Sequence, residues 1–249
     1  MRRLSKQLLY GLLYLVIFIG IPVGMYFGFL KPAPTCFDGI QNGKEQGIDC
    51  GGACAEVCIP PTLKPIEALN GLKQIPIDAE RTTLFAEVVN ANPDFAAWNF
   101  GYVLTLEDGS STKQFQGNSY IYGGEIKTLA FPNLAVGNIT GAKIEFQNPQ
   151  WLPAEAWKRP MLRVQNASTK REEGKLLVEG ELLNDDAKAF KAVEVVSIFL
   201  GQFGEIVGVS KTEIAEVAPS VYRAFSVYHP DIPDVDVSKT LVELHAFRE

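Results

Sequence analysis

Histidine and cysteine are scarce in this chain. Only two of its 249 residues are histidine, and the four cysteines all lie between positions 36 and 58. Hydrolases bring together a nucleophile and a base, yet the sequence has no Gly-x-Ser-x-Gly, no phosphate-binding loop and no His-Glu-x-x-His. We expect His229, in a Tyr-His-Pro turn, and His245, on the last strand, to be surface or strand residues. These absences predict a protein that is not an enzyme.

Positively charged residues are also few. Lysine and arginine together number 23 against 29 acidic residues, which gives a formal net charge of −6, and no basic patch interrupts the chain. Because binding to the phosphate backbone of DNA or RNA depends on clustered cations, nucleic acid is not expected as a partner.

One long uncharged run stands near the amino terminus. A helix over Gln7 to Leu30 covers roughly 36 Å, enough to cross a hydrocarbon core of about 30 Å, so residues 8–30 predict contact with a membrane. Arg2, Arg3 and Lys6 precede the run. By the positive-inside rule they predict a cytoplasmic amino terminus and an extracytoplasmic remainder, with the tip and helix occupying residues 1–31.

A cleavable signal peptide is the alternative to a permanent anchor. Signal peptides have an apolar core of about 7–15 residues that ends at a small-x-small site. This run is longer and ends in Phe-Gly-Phe-Leu-Lys-Pro. The sequence therefore favours a retained signal-anchor in the cell membrane, and cleavage stays open.

The four cysteines, Cys36, Cys50, Cys54 and Cys58, belong to a neck that we place at residues 32–65. On the oxidising side of a membrane an even number of cysteines predicts disulfide bonds, and three pairings are open. So short a segment cannot build its own core and needs crosslinks. A zinc site is the less favoured alternative, because the usual Cys-x-x-Cys pairs are absent.

Oxygen-bearing side chains are interspersed with glycines in the same segment. Asp38, Asn42, Glu45 and Asp49 form a candidate calcium site, since calcium takes six to eight oxygen ligands. The favoured alternative is that these side chains cap turns and that no cofactor is bound. The pattern Cys-x-Asp-Gly-x-x-Asn-x-x-Glu-x-Gly-x-Asp-Cys-Gly-Gly-x-Cys resembles a module of secreted and surface bacterial proteins. That resemblance implies a small disulfide-bonded extracellular element.

The rest of the chain has the pattern of short strands and turns. Runs at Thr83–Asn90, Trp98–Leu106 and Ala142–Gln147 recur at Lys175–Asn184, Ala192–Leu200 and Thr240–Phe247, an offset of about 94 residues. We therefore predict an all-β fold of two tandem immunoglobulin-like β-sandwiches, at residues 70–150 and 160–249.

The second repeat carries a family resemblance. Val178-Glu-Gly-Glu-Leu-Leu-Asn184, the strand to Leu200, Gly204 and Ala224-Phe-Ser-Val227 resemble the FxLYD-type immunoglobulin-like domain of bacterial surface proteins. The first repeat is similar to that domain and to LEA14-like sandwiches. The name-giving Tyr-Asp pair is absent, since the turn reads Phe199-Leu-Gly-Gln-Phe. The resemblance implies a non-catalytic sandwich and no particular ligand.

A proline-rich link over residues 148–160 contains Trp151 and Trp157. Exposed tryptophans are strong anchors for partners, so these two are the candidate partner-binding residues, and packing between the sandwiches is the alternative.

Together these features predict a single-pass membrane protein that acts as a non-catalytic binding or structural module in a cell-envelope or surface assembly. A protein partner or self-association is expected. The alternative function is a calcium-dependent ligand- or polysaccharide-binding surface protein.

Overall fold

The computed structural model describes residues 2–30, 35–109, 111–137 and 139–249. The chain forms two compact units, Met1–Ile59 and Pro60–Glu249. The boundary that we predict at residue 31, between the helix and the neck, lies outside the described residues.

The first unit begins with a continuous helical run. Its parts are α1 (Arg2–Leu15), a π-helical turn (Val16–Gly20), α2 (Ile21–Met25) and a second π-helical turn (Tyr26–Leu30). Pro22 has no N–H to donate, and the wider turn just before it, where the Ile21 N–H bonds to Val16 O, absorbs the irregularity without ending the helix.

This helix is long and apolar enough to cross a membrane. The span Arg3–Gly28 has a mean hydropathy of 2.2 over its most apolar window, and no residue of that window is buried by the rest of the chain. Its apolar side chains are therefore available to lipid. A signal sequence meets the same criteria of length and composition.

The neck that follows is held by two disulfide bonds, which pair Cys36 with Cys54 and Cys50 with Cys58. The prediction of two disulfides is confirmed, and one of the three open pairings is selected. The four sulfurs are bonded in two pairs, so none of them is a thiolate of the kind that binds zinc.

The second unit consists of strands joined by turns, which confirms the all-β prediction. In chain order they are β1 (Glu67–Pro76), β2 (Thr82–Val89), β3 (Phe95–Glu107), β4 (Thr112–Ile121), β5 (Ile126–Leu134), β6 (Gly141–Pro153), β7 (Leu162–Glu172), β8 (Lys175–Asn184), β9 (Phe190–Leu200), β10 (Ile206–Val217), β11 (Tyr222–Pro230) and β12 (Leu241–Ala246).

These strands form four antiparallel sheets of three strands each. The sheet orders are β1-β2-β5 and β4-β3-β6 in the first half, and β11-β8-β7 and β10-β9-β12 in the second. Each half therefore pairs its first, second and fifth strands in one sheet and its third, fourth and sixth in the other. The topology repeats as the sequence offset does.

An asparagine at the end of the second strand makes the same hydrogen bonds in both halves. The Asn90 side chain donates to Phe95 O and Tyr122 O and accepts from the Asn92 N–H. Asn184 does the same with Lys188 O, Val217 O and the Asp186 N–H. Each side chain satisfies backbone groups that the end of a strand leaves unpaired, so the asparagines are structural.

The four sheets are stacked in layers. Sheet β4-β3-β6 packs on β1-β2-β5 around Phe100, Ala86 and Val88, and sheet β10-β9-β12 packs on β11-β8-β7 around Phe199, Val178 and Phe225. A further apolar cluster joins the two inner sheets, which are β1-β2-β5 and β10-β9-β12. Phe85 and Ala130 contribute to it from the first of these sheets, and Val196, Ile198 and Val209 from the second. The inner strands β2 and β9 are buried on both faces, which accounts for their nearly unbroken apolar runs.

The structure corrects the predicted link over residues 148–160. Strand β6 continues through Asn148 to Pro153, so Trp151 lies in a strand and not in a linker. Pro149 is tolerated there because β6 is one of the two edge strands of its sheet.

The spacer before β1 is fixed at its carboxyl end. The Lys64 N–H donates to Asn92 Oδ1, and the Asn92 side chain donates back to Lys64 O, both at 2.9 Å. The predicted boundaries at 65, 70, 150 and 160 therefore remain predictions about domains, while residues 60–249 pack as one unit.

Candidate functional site

The predicted calcium residues of the neck are engaged with one another and with the backbone. Asp49 accepts hydrogen bonds from the Asp38 N–H at 3.0 Å and the Gly39 N–H at 2.8 Å. Asp38 accepts from the Ile40 N–H and from Asn42 Nδ2, and the bond from Asn42, with others from the backbone, lowers the pKa of the Asp38 carboxyl. These contacts are those of turn caps.

Glu45 has the same kind of role. Its Oε2 accepts from the Asn42 N–H at 3.2 Å and the Asp49 N–H at 3.3 Å. Among the described residues, the group whose ligand-type atoms lie close enough together to share a metal is Cys36, Glu45 and Cys54. Both of its sulfurs form a disulfide, so neither is a thiolate ligand.

The two predicted partner-binding tryptophans differ in environment. Trp157 is 7% exposed and stacks on Tyr122 with ring centroids 4.1 Å apart, so it packs inside the folded unit and offers no surface anchor. Trp151 is half-buried against the core of the first half. Trp157 contacts Phe247 and Arg248 at the end of the second half, whereas Trp151 packs within the first half.

Trp157 belongs to an aromatic cluster that holds the end of the chain. Its Nε1 donates to Arg248 O at 2.6 Å, and the Tyr122 hydroxyl donates to Ala246 O at 2.8 Å while accepting from the Arg248 N–H at 3.2 Å. Burial raises the pKa of the Tyr122 hydroxyl and of the neighbouring Tyr120 hydroxyl. Both hydroxyls therefore stay protonated at neutral pH, and Tyr122 can keep donating.

Four titratable side chains come together where the halves meet. Lys127, Glu125 and His245 are each 4% exposed, and His245 Nε2 lies 3.1 Å from Glu243 Oε2. Burial lowers the pKa of the Lys127 amine to about 8, although nearby carboxylates oppose the shift. Burial also acts to raise the pKa of Glu243, but its hydrogen bonds with His245 and Thr128 outweigh this effect and hold that pKa below its usual value.

A cavity of about 250 Å³ lies beside these groups and is lined by Lys127, Lys211, Glu194 and His245 among others. Lys211 pairs with Glu194 at 2.8 Å, and the Lys127 amine lies over the Tyr120 ring, 3.5 Å from its centroid. Within the described ranges no hydroxyl or thiol is hydrogen-bonded to either histidine. The arrangement is thus a network of paired charges and not a nucleophile with its base.

The structure places His229 in β11 and buries it, which corrects its predicted position in a turn. Its Nδ1 lies 2.7 Å from Pro230 O, and its Nε2 has no partner among the described residues. Burial lowers the pKa of the ring, which packs against Phe199. His229 is therefore a neutral part of the core of the second half.

A candidate binding site lies on the outer face of sheet β4-β3-β6. A groove of about 450 Å³ runs across this face. Gly101, on the central strand β3, pairs with Asn118 on β4 and with Gln147 on β6. Side-chain amides line the groove, namely those of Asn99, Gln116, Asn118, Gln147, Asn148 and Gln150.

The corresponding sheet of the second half has a covered face. Its central strand β9 places Val196 and Ile198 in the apolar cluster against Phe85 and Ala130. The exposed face of sheet β4-β3-β6 is thus rich in amides, whereas the corresponding face of sheet β10-β9-β12, which the first half covers, is apolar. Sequence reasoning missed this groove, although the uneven distribution of amides between strands β3, β4 and β6 and their counterparts was a usable signal.

The chain matches no protein-family model and shows no significant similarity to any curated protein.

Proposed function

We propose that this chain is a single-pass membrane protein whose folded part lies outside the cytoplasm and acts as a non-catalytic binding module in a cell-envelope or surface assembly. The helix Arg3–Gly28, with its exposed apolar side chains, supports the membrane anchor. The two disulfides of the neck support an oxidising compartment, since such bonds are rare in the cytosol.

The observation that carries the binding role is the contrast between sheets β4-β3-β6 and β10-β9-β12, each on the face that is turned away from the core of its own half. In the second half that face is apolar and is buried against the first half. In the first half it is polar, open and grooved. The stacked unit acts as a rigid platform, because an apolar cluster fixes its inner sheets, and it presents this groove to a partner or ligand.

Site-specific photo-cross-linking in native membranes tests the binding role. A photoreactive amino acid at position 116, within the groove, is compared with one at position 74, where another exposed glutamine lies on β1. We expect a discrete adduct from position 116 and none from position 74. Adducts of equal yield from both positions, or from neither, would refute a binding role for this face.

One observation favours the calcium-dependent alternative. Asn42 Oδ1, in the predicted calcium set, is buried without a hydrogen-bond partner among the described residues. The carboxylates of Asp38, Glu45 and Asp49 also accept hydrogen bonds from backbone N–H groups, so an ion there would share these carboxylates with the turn caps. An unfolding temperature that does not change with calcium or with a chelator would remove this alternative.

A further inference from the structure

The groove on the outer face of sheet β4-β3-β6 has a lining without charge. Its residues are Asn99, Gly101, Tyr102, Val103, Gln116, Gly117, Asn118, Gln147, Asn148 and Gln150, none of which carries a formal charge. Its volume of about 450 Å³ falls within the range of about 300–1,000 Å³ that is usual for ligand sites. Most such sites are lined by apolar side chains, so a lining of amides favours a ligand that is itself polar and neutral.

The amides of this groove are not used by the fold. Among the described residues, none of the six amide side chains is hydrogen-bonded to another protein group, although the neighbouring Gln114 bonds to Thr105 Oγ1 at 3.4 Å. Each amide presents two N–H donors and a carbonyl acceptor. The groove therefore offers paired donors and acceptors at no cost to the internal hydrogen bonds of the protein.

A glycine provides the floor of the groove. A methyl group added at Gly101 would lie 3.8 Å from Asn118 Oδ1 and 3.7 Å from Gln147 O, which is ordinary contact. The backbone of Gly101 has no positive φ, so the fold does not require glycine for its conformation. The absent side chain instead leaves a trough between the amides of the two flanking strands.

From these features we propose that the groove binds a neutral, hydroxyl-rich glycan. A sugar hydroxyl donates one hydrogen bond and accepts others, which matches the paired donor and acceptor of an asparagine or glutamine side chain. A peptide added by strand pairing would need a sheet edge, whereas this groove crosses the face of three strands. The proposal rests on the proposed function, because it names the ligand class of that binding face.

Calorimetric titration of the full chain with four tetrasaccharides provides the test. The probes are β-1,4-glucan, β-1,3-glucan, α-1,4-glucan and β-1,4-N-acetylglucosamine tetrasaccharides. The protein is held in a zwitterionic detergent, because the maltoside headgroup of common detergents is itself a glycan. We expect saturable binding of at least one probe, with an affinity that does not change with salt because no charge lines the groove.

The groove variants should weaken binding while the fold is kept. Removing one amide by Gln116→Ala or Gln147→Ala should weaken binding roughly 2- to 12-fold, the effect of one net hydrogen bond. Gly101→Leu should abolish binding by filling the floor. Gln74→Ala removes an exposed amide of β1 and should leave affinity unchanged, and equal unfolding temperatures would show that all variants are folded.

Each outcome decides the proposal. If no tetrasaccharide binds, or if Gln116→Ala and Gln147→Ala bind as tightly as the parent, the glycan assignment is wrong. If no tetrasaccharide binds but cross-linking at position 116 captures a protein in membranes, the binding module stands with a protein partner and only the glycan is refuted. If tetrasaccharides bind but the folded part is on the cytoplasmic side, the ligand stands and the proposed location fails.

Discussion

The hydroxyl of Tyr122 offers a sharp test of how the end of the chain stabilises the folded unit. It donates to Ala246 O at 2.8 Å and accepts from the Arg248 N–H at 3.2 Å, and the tyrosine is 3% exposed. Tyr122→Phe removes only this oxygen and keeps the ring that stacks on Trp157. The substitution therefore isolates two hydrogen bonds from the packing around them.

The expected loss follows from the groups left without a partner. Leaving a buried donor or acceptor unsatisfied costs about 1–3 kcal/mol of unfolding free energy. For a unit of this size each kcal/mol shifts the unfolding temperature by about 2–4 °C, so a loss of about 2 kcal/mol corresponds to roughly 4–8 °C. The assay is urea unfolding of the full chain in detergent, followed by tryptophan fluorescence.

Tyr222→Phe is the matched control. Tyr222 is 52% exposed, and its hydroxyl has no hydrogen bond among the described residues, so removing the oxygen should change stability by less than about 0.5 kcal/mol. If Tyr122→Phe were no more destabilising than Tyr222→Phe, the contact of the chain end with Tyr122 would not contribute to the stability of the unit.

Three further changes test other parts of the account. Breaking the Cys36–Cys54 disulfide, which spans 18 residues, should loosen the neck more than breaking the Cys50–Cys58 disulfide, which spans 8. The entropy of loop closure predicts a loss of stability of about 3 kcal/mol for the first and about 2.5 kcal/mol for the second. The rates of limited proteolysis of the two variants compare the effects. Phe85→Ala should cost about 3–5 kcal/mol of unfolding free energy by opening a cavity between the inner sheets, whereas Phe203→Ala, at a site 94% exposed, should be nearly neutral. The pKa of Lys127 is 10.5 in the unfolded chain and about 8 in the folded chain, so between these values the unfolded chain binds the proton more readily. The free energy of unfolding should therefore rise with pH from 8 towards 10.5. Lys127→Met should flatten that rise in urea titrations between pH 8 and 9.5.

Each of these has an outcome that would contradict it. Equal proteolysis of the two disulfide variants would show that loop length does not set their effects. A loss from Phe85→Ala as small as that from Phe203→Ala would mean that the two halves do not depend on one another. The pH window stops short of 10 because the raised pKa of Tyr120 acts in the opposite direction above that value. A parent protein without the rise, or a Lys127→Met variant that keeps it, would contradict the proposed burial of the charged amine.

The repeat was predictable because its signals are local. Short runs of strand-forming residues between turn residues predict strands, and their recurrence at an offset of about 94 residues predicts two similar halves. The structure contains these strands, and Asn90 and Asn184 at the ends of β2 and β8 bond the same kinds of backbone group. The neck disulfides were predictable from the even number of cysteines and from the oxidising compartment expected for this segment. Their pairing was not predictable, because four cysteines allow three pairings.

The partner that each sheet face packs against was not predictable from the pattern of apolar residues within a strand. Leu84 and Phe85 are both buried, yet one faces the core of its own half and the other faces the second half. Nothing in a single strand distinguishes these two kinds of burial. The continuation of β6 through Pro149 was missed for a related reason, because a proline is compatible with a strand only at a sheet edge and the strand order is not written in the sequence.

Protease accessibility in oriented membrane vesicles tests the central claim most directly. The full chain carries a tag at its carboxyl terminus, and vesicles of both orientations are treated with protease, with and without detergent. If the helix anchors an extracytoplasmic unit, the tag is lost from right-side-out vesicles and protected in inside-out vesicles until detergent is added. Protection in right-side-out vesicles, or release of the folded part from the membrane without its helix, would contradict the claim.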